Sequence, residues 1–340
     1  MSTPYPPLPA ERDRWILARR GPRNALDPRR PYAQLTEVEP DDARQPVGVS
    51  TIFLTNRECP WRCLMCDLWR NTLTEPVAPG AIPEQIRFAV SRLPAARWVK
   101  LYNAGSFFDP KAIPRADYAP VARLLSGFER VIVESHPALV GKSCLELRDA
   151  VDGALEVAMG LETAHPEVLE RLNKAMTLER FRRAAAFLSR EGISLRVFVL
   201  VGLPFLSEKE SLDWACRSVE FAFDCGASVV SLIPTRVGNG ALDALAERGE
   251  FSPAGLSAVE DTLAFGLSLE RGRVLADLWD LERLRRCERC FERRAERLRA
   301  MNLTQSVPAP AGCVACMGAR GTTRSPAEIT TGSRDRQVPR

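Results

Sequence analysis

The stretch Leu178–Pro204, "LERFRRAAAFLSREGISLRVFVLVGLP", holds one complete structural unit of this chain. Leu178, Phe181, Ala184, Ala185 and Leu188 recur at helical spacing, and Gly192 ends that pattern. A β-branched run, "SLRVFVLVG", follows at once and closes on a Gly-Leu-Pro turn. The unit recurs. Between Val47 and Pro234 the runs "GVSTIFLT", "RWVKLYNAG", "RVIVES", "LEVAMGLE", "SLRVFVLVG" and "SVVSLIP" alternate with helical patterns. Six strand–helix repeats with short loops predict parallel strands joined by right-handed crossovers. A closed eight-stranded barrel needs two more units than these runs provide. The expected fold is therefore α/β, a partial (β/α)6 TIM-like barrel, with a doubly wound sheet as the alternative. Either architecture puts functional groups at the carboxyl ends of the strands.

On this reading the chain divides into an N-terminal extension with a short helix (1–46), a core barrel (47–235), a C-terminal helical segment carrying Cys-x2-Cys pairs (236–317) and a disordered tail (318–340). The short helix is "AERDRWILARRG". The 340 residues suffice for a substantial core, and the apolar and charged fractions are those of a globular protein. A net charge of +4 is compatible with a polyanionic partner without requiring one. No apolar run approaches a membrane span and no leader pattern opens the chain, so a cytoplasmic protein is expected.

Clustered cysteines in a reducing compartment point to metal rather than to disulfides. Of ten cysteines, Cys144, Cys216 and Cys225 are solitary and read as packing residues. Cys59, Cys63 and Cys66 lie in "NRECPWRCLMCDLW", directly after the first core strand. Three thiolates converging on a 4Fe–4S cluster leave one iron open, whereas four would close it. A zinc loop is the plain alternative, but zinc takes four ligands and no fourth cysteine or histidine is nearby.

That spacing on this fold resembles the radical S-adenosylmethionine superfamily. The resemblance implies that the open iron binds the amino and carboxylate groups of the cofactor's methionine, and that reductive cleavage yields a 5′-deoxyadenosyl radical. It also implies an external electron donor such as a flavodoxin or ferredoxin. Met65 fills the place of the apolar residue before the third cysteine. The turn after the second core strand, Asn103-Ala104-Gly105-Ser106, stands where the superfamily carries a Gly-Gly-Glu type turn for the methionine amino group. It lacks the carboxylate, so Asn103, Ser106 and the backbone at Gly105 inherit that role. Glu134 and Glu162 end the third and fourth strands, where a carboxylate is costly unless paired or open to a cleft. The resemblance gives Glu162 the ribose hydroxyls or the amino group; a solvated strand end is the alternative. Gly202, in "VGLP", matches the turn that touches the adenine and is also a plain turn residue.

The segments "ESHP", "GLET", "RLNKA" and "VGLPF" are similar to the radical domain of the Elongator acetyltransferase. With "LYNAGSFFD" and "RGEFSP" they resemble the radical subunit of archaeosine synthase more. That family acts on a modified deazaguanine in tRNA, so a tRNA nucleoside is the implied substrate. A non-catalytic iron–sulfur or zinc protein binding RNA on the same scaffold is the competing class. Lys174 reads as an exposed helix-end lysine, with a cofactor carboxylate or phosphate as its other role. His136 is placed to face the mouth, and His165 to open a helix.

Cys287, Cys290, Cys313 and Cys316 form two Cys-x2-Cys pairs, "CERC" and "CVAC". Four thiolates suit a structural zinc site, and they suit an auxiliary iron–sulfur cluster as well. The surrounding arginines alternate with glutamates, the pattern of a solvated helix face, with a nucleic-acid patch as the other reading.

Overall fold

The structure, a computed structural model, describes residues 4–317. The tail expected from Gly318 onward lies outside the described residues. Helix α1 (Pro9–Leu17) comes first, and a hairpin follows: β1 (Ala33–Pro40) runs antiparallel to β2 (Pro46–Phe53), with Ala33 opposite Phe53 and Pro40 opposite Pro46. Six parallel strands continue the sheet: β3 (Trp98–Tyr102), β4 (Arg130–Ser135), β5 (Ala154–Glu162), β6 (Ser194–Val201), β7 (Val229–Pro234) and β8 (Arg273–Ala276). Strand order is sequential from β1 to β8, which is the order of a barrel wall and not of a doubly wound sheet.

All six runs read from the sequence are strands, β2 to β7, and two strands flank them. β1 and β8 escaped the pattern because one buries Glu39 beside an exposed Val38 and the other spans four residues. The connecting helices are α2 (Ala81–Val90), α3 (Tyr118–Leu124), α4 (Lys142–Arg148), α5 (Pro166–Arg171), α6 (Leu178–Arg190), α7 (Glu208–Asp224), α8 (Ala241–Glu247) and α9 (Leu256–Ser268). Helices α10 (Phe291–Thr304) and α11 (Val314–Met317) complete the chain. Among the described residues no helix is long and apolar enough to cross a membrane.

Side-chain alternation gives the sheet two different faces. Ile52, Val99, Val131, Val157, Val197, Val230 and Val274 point outward into one buried apolar core with the helices. The inward face carries charge. Arg196, Glu156, Lys100 and Glu39 are all buried, near the amino-terminal ends of the parallel strands. Arg196 pairs with Glu156 at 2.6 Å and Glu39 at 2.7 Å, and Lys100 pairs with Glu39 at 2.6 Å and Glu37 at 2.7 Å. Burial by itself would raise the Glu39 carboxyl, but Arg196 and Lys100 outweigh it and hold it well below the usual carboxylate range. This paired network fills the barrel floor, so the open end lies at the opposite, carboxyl ends of the strands.

The sheet stays open, and α10 packs against both edge strands. The outer edge of β8 is satisfied by side-chain amides. Gln305 accepts from Val274 N–H at 2.8 Å and donates to its carbonyl at 2.9 Å, and Asn302 does the same for Ala276 at 2.8 Å each way. Those amides replace a ninth strand and remove the exposed edge.

Candidate active site at the barrel mouth

The cysteine loop leaves β2 and is closed at its base by backbone pairing: Glu58 N–H donates to Leu73 O at 2.9 Å and Leu73 N–H to Asn56 O at 2.8 Å. Farther out, Leu64 N–H donates to Leu172 O at 2.9 Å, tying the loop to the segment after α5. Cys59, Cys63 and Cys66 are all free and partly exposed. Burial pushes the Cys63 thiol well above its ordinary value, against the pull of Lys174, and takes Cys66 up to about 12. The ligand-free thiols are therefore protonated at neutral pH, and a metal is needed to hold them as thiolates.

The end of β3 meets this loop directly. A Cβ added at Gly105 would stand 3.0 Å from Cys59 Cβ, tighter than an ordinary contact, so glycine lets the turn lie against the first cysteine. Asn103 is fully buried, yet neither end of its carboxamide has a partner. Thr55 Oγ1 and Asn56 Oδ1, at the base of the loop, are unpartnered too. Sealed polar groups without partners cost stability unless a ligand or water completes them. The backbone N–H of Asn103 donates to Glu134 at 3.0 Å, and that of Ala104 also faces the same carboxylate. Even so, burial raises the Glu134 carboxyl to about 7. The Ser106 hydroxyl is spent inside the fold, 3.1 Å from Ser135 Oγ and accepting Phe108 N–H at 3.3 Å.

At the end of β5 the register shifts between Gly160 and Glu162, and Glu162 takes φ +66. This turns its carboxylate onto Lys174, whose Nζ also donates to Gly160 O at 2.7 Å. A Cβ on Gly160 would fall 2.1 Å from Glu162 Oε1 and 2.2 Å from Lys174 Nζ, so the pair occupies the space a side chain would take there. Lys174 is thus not the exposed helix-end lysine expected from sequence: it is 8% exposed. Isolated in sequence, it gave no sign of the carboxylate twelve residues away that pays for its burial.

His136 does face the mouth. Trp61, from the cysteine loop, stacks on its ring at 3.6 Å and 15°. Its Nδ1 accepts Ala138 N–H at 3.1 Å, which leaves Nε2 to donate to Lys174 O at 3.0 Å. Burial and then Lys174 lower its pKa to about 3, so the ring is neutral. His165 caps α5, as its place before Pro166 suggests. Gly202 (φ +88) faces Ala254, whose Cβ would be 2.8 Å from an added Cβ, so packing alone explains that glycine. Met65 packs in an apolar cluster with Leu64, Trp15 and Leu242. Across the mouth runs a file of aromatic rings: Tyr32–Phe53 at 5.5 Å, Phe53–Tyr102 at 6.1 Å, Tyr102–Phe198 at 6.0 Å, and Phe53 to the exposed Trp279 at 6.0 Å.

No family model matches the chain. A protein of Methanocaldococcus jannaschii without an assigned function is 26% identical over 207 residues, 56% of this chain and 57% of that one. Archaeosine synthase subunit beta of Methanosarcina acetivorans is 26% identical over 230 residues, 63% of this chain and 65% of its own. The chain thus spans less than two thirds of either protein. The Thermococcus kodakarensis archaeosine synthase subunit beta is 30% identical over 226 residues, covering 63% of this chain and 69% of that subunit. The chain belongs to the archaeosine synthase beta-subunit family of the radical S-adenosylmethionine superfamily. Among solved structures, the N-terminally truncated Elp3 of Methanocaldococcus infernus has a TM-score of 0.46 and 16% identity, covering 57% of this chain and 51% of that one.

The second cysteine group of this family member is built differently. Cys287 and Cys290 sit on the turn that opens α10, and Cys313 and Cys316 flank the start and body of α11. The helix and the return strand of chain bring Cys287 to 3.9 Å from Cys313 and Cys290 to 3.8 Å from Cys316. All four sulfurs lie within 4.8 Å of one another. A tetrahedron with metal–sulfur bonds of about 2.3 Å has edges of roughly 3.8 Å, so the four fit one ion. Among the described residues this is the one group of three or more His, Cys, Asp or Glu ligands gathered so closely. Arg294 departs from the solvated face that the alternating charges suggest: it is buried and pairs with the buried Glu260 from α9.

Proposed function

We propose that this chain is a radical S-adenosylmethionine enzyme whose 4Fe–4S cluster is held by Cys59, Cys63 and Cys66, and that it acts on a nucleoside within tRNA. The observation that carries the reading is the loop itself: three free thiols, the first lying against the β3 turn, beside a buried carboxamide with both ends free. Three thiolates and an open iron match that donor set. When bound, the cluster and S-adenosylmethionine supply reductive cleavage to a 5′-deoxyadenosyl radical, with the electron coming from a donor such as a flavodoxin or ferredoxin.

The chain's own residues bind and orient. The Asn103 carboxamide and the backbone at Gly105 receive the methionine amino group, with Ser106 bracing their turn from inside. Glu134 lies behind that turn, where an incoming ammonium would favour its ionised form. Lys174 offers a fixed positive charge for the methionine carboxylate, and Glu162 reaches the ribose hydroxyls or the amino group. The turn at Gly202 backs the adenine, and Met65 keeps the loop beside the third cysteine apolar. A planar base fits against the aromatic file, which offers stacking faces and edges rather than a polar wall. The tRNA substrate follows from the relatives' name and family. The C-terminal cysteines hold zinc, because their spacing matches a single tetrahedral ion.

The test is anaerobic reconstitution, reduction with dithionite and assay of 5′-deoxyadenosine. The wild type should form it and Cys63→Ala should fall to background. Comparable cleavage by that variant would overturn the proposal.

A further inference from the structure

Glu58 precedes the first cysteine, and nothing in the chemistry proposed for the mouth uses it. Its side chain is 11% exposed and meets three guanidinium groups. Arg20 bonds one carboxylate oxygen at 2.6 Å, Arg62 lies 3.1 Å from the same oxygen, and Arg23 takes the other. Two of these arginines belong to the segment after α1, and each reaches further along the loop. Arg23 donates to Trp69 O at 2.7 Å, and Arg20 lies 4.9 Å from the Trp69 ring centroid. Asn24 N–H donates to Arg70 O at 2.9 Å. Arg62, inside the loop, donates to Cys59 O at 2.7 Å and Trp61 O at 3.1 Å. α1 adds a contact at the loop's crown: Asn173 Nδ2 donates to both Asp13 at 2.7 Å and Arg62 O at 2.9 Å.

We infer that Glu58 is a positioning residue for the cysteine loop, and that the segment from α1 to Asn24 is a clasp that holds the loop in its ligating shape through Glu58. The stretch carrying the three cysteines, ahead of the 3-10 turn Leu68–Asn71, would otherwise lose conformational entropy each time it gathered three thiols. Charge-assisted bonds to one buried carboxylate fix the backbone on both sides of Cys59 before any metal arrives. The inference rests on the proposed cluster for its consequence, but the clasp itself is a property of the metal-free chain.

Two measurements separate the two. In the metal-free full chain, limited trypsin digestion should cut the loop at Arg57, Arg62 or Arg70 at least about tenfold faster in Glu58→Gln than in wild type. In the anaerobically reconstituted protein, iron release to bipyridine should quicken by a similar factor in Glu58→Gln and in Arg20→Gln. Arg20→Lys keeps the charge and should stay within about twofold of wild type. The double variant Glu58→Gln, Arg20→Gln should be no faster than Glu58→Gln alone, because both remove one interaction. Wild-type digestion and release in Glu58→Gln would overturn the inference. So would additive effects in the double variant, or an Arg20→Lys protein as leaky as Arg20→Gln, since either marks general destabilisation. Should Glu58→Gln fail to fold, the Arg20 pair decides by the same criterion. A wild type that takes up no iron would instead sink the cluster proposal and leave the digestion result standing.

Discussion

The two cysteine groups of this chain solve opposite problems. The loop after β2 carries its three thiols in contact with β3, the segment after α5 and the N-terminal segment, so its shape is fixed by the whole barrel mouth. The C-terminal four sit where α10 begins and around α11, two of them buried, and their sulfurs already stand near the corners of a tetrahedron. On the proposed reading, three ligands leave the loop's shape to the surrounding fold, whereas four can close a site among themselves. Ligand number separates the two cases already in the sequence; that four sulfurs are gathered at one point is seen only in the structure.

The sharpest way to break this contrast is to remove each site in turn. The triple variant Cys59→Ala, Cys63→Ala, Cys66→Ala should lose its iron and keep about one zinc per chain, with its fold intact. Cys287→Ser should keep the iron–sulfur absorbance and lose zinc, and the segment from Leu281 should become protease-sensitive, since metal binding there is folding energy. Elemental analysis decides. About four irons and no zinc in the triple variant would mean an auxiliary cluster at the C-terminus and would dissolve the distinction.

A smaller effect tests whether the mouth's charges are part of its support. Lys174 and Glu162 are each 10% exposed at the side chain, so deleting one partner leaves a buried charge alone. Lys174→Met should cost about 3–5 kcal/mol of stability by denaturant melts, and Glu162→Gln in the same chain should recover much of it. A Lys174→Met protein as stable as wild type would show that the pair is solvated and contributes nothing to the mouth.

The smallest expected effect is a pH dependence. Burial raises Glu134 from the ordinary 4.5 to about 7, so between those values the folded chain binds more protons than the unfolded one. Its contribution is therefore fully present below about pH 4.5 and is lost as pH rises through 7, a decline of about 3 kcal/mol. Glu134→Gln should flatten that decline relative to wild type, measured as the difference in unfolding free energy across the window. Saturating S-adenosylmethionine should flatten it too if the ammonium binds beside Glu134. An identical pH profile in the variant would place Glu134 in solvent contact and weaken its assignment to the cofactor pocket.

Residues such as Phe181, Ala184, Leu188 and then Val197, Val199, Val201 carry their periods locally, and local periods survive in one dimension. That is why β2 to β7, their helices, the cysteine loop and the carboxylates at the strand ends were legible in the sequence. The short β8 and the hairpin arm β1 have too little pattern to stand out, and their edges are completed by partners that no local rule supplies, Gln305 and Asn302 at β8 among them. The barrel floor is the clearest case. Arg196 meets Glu39 across 157 residues of chain, and neither residue alone suggests burial. The sequence by itself determined the repeating strand–helix unit and the ligand types, because both are written within a few neighbouring residues. Tertiary structure alone decided which charges are paired, that Lys174 faces inward, and that the four C-terminal sulfurs close on one point. Those outcomes depend on distances between residues far apart along the chain, which only the folded path sets.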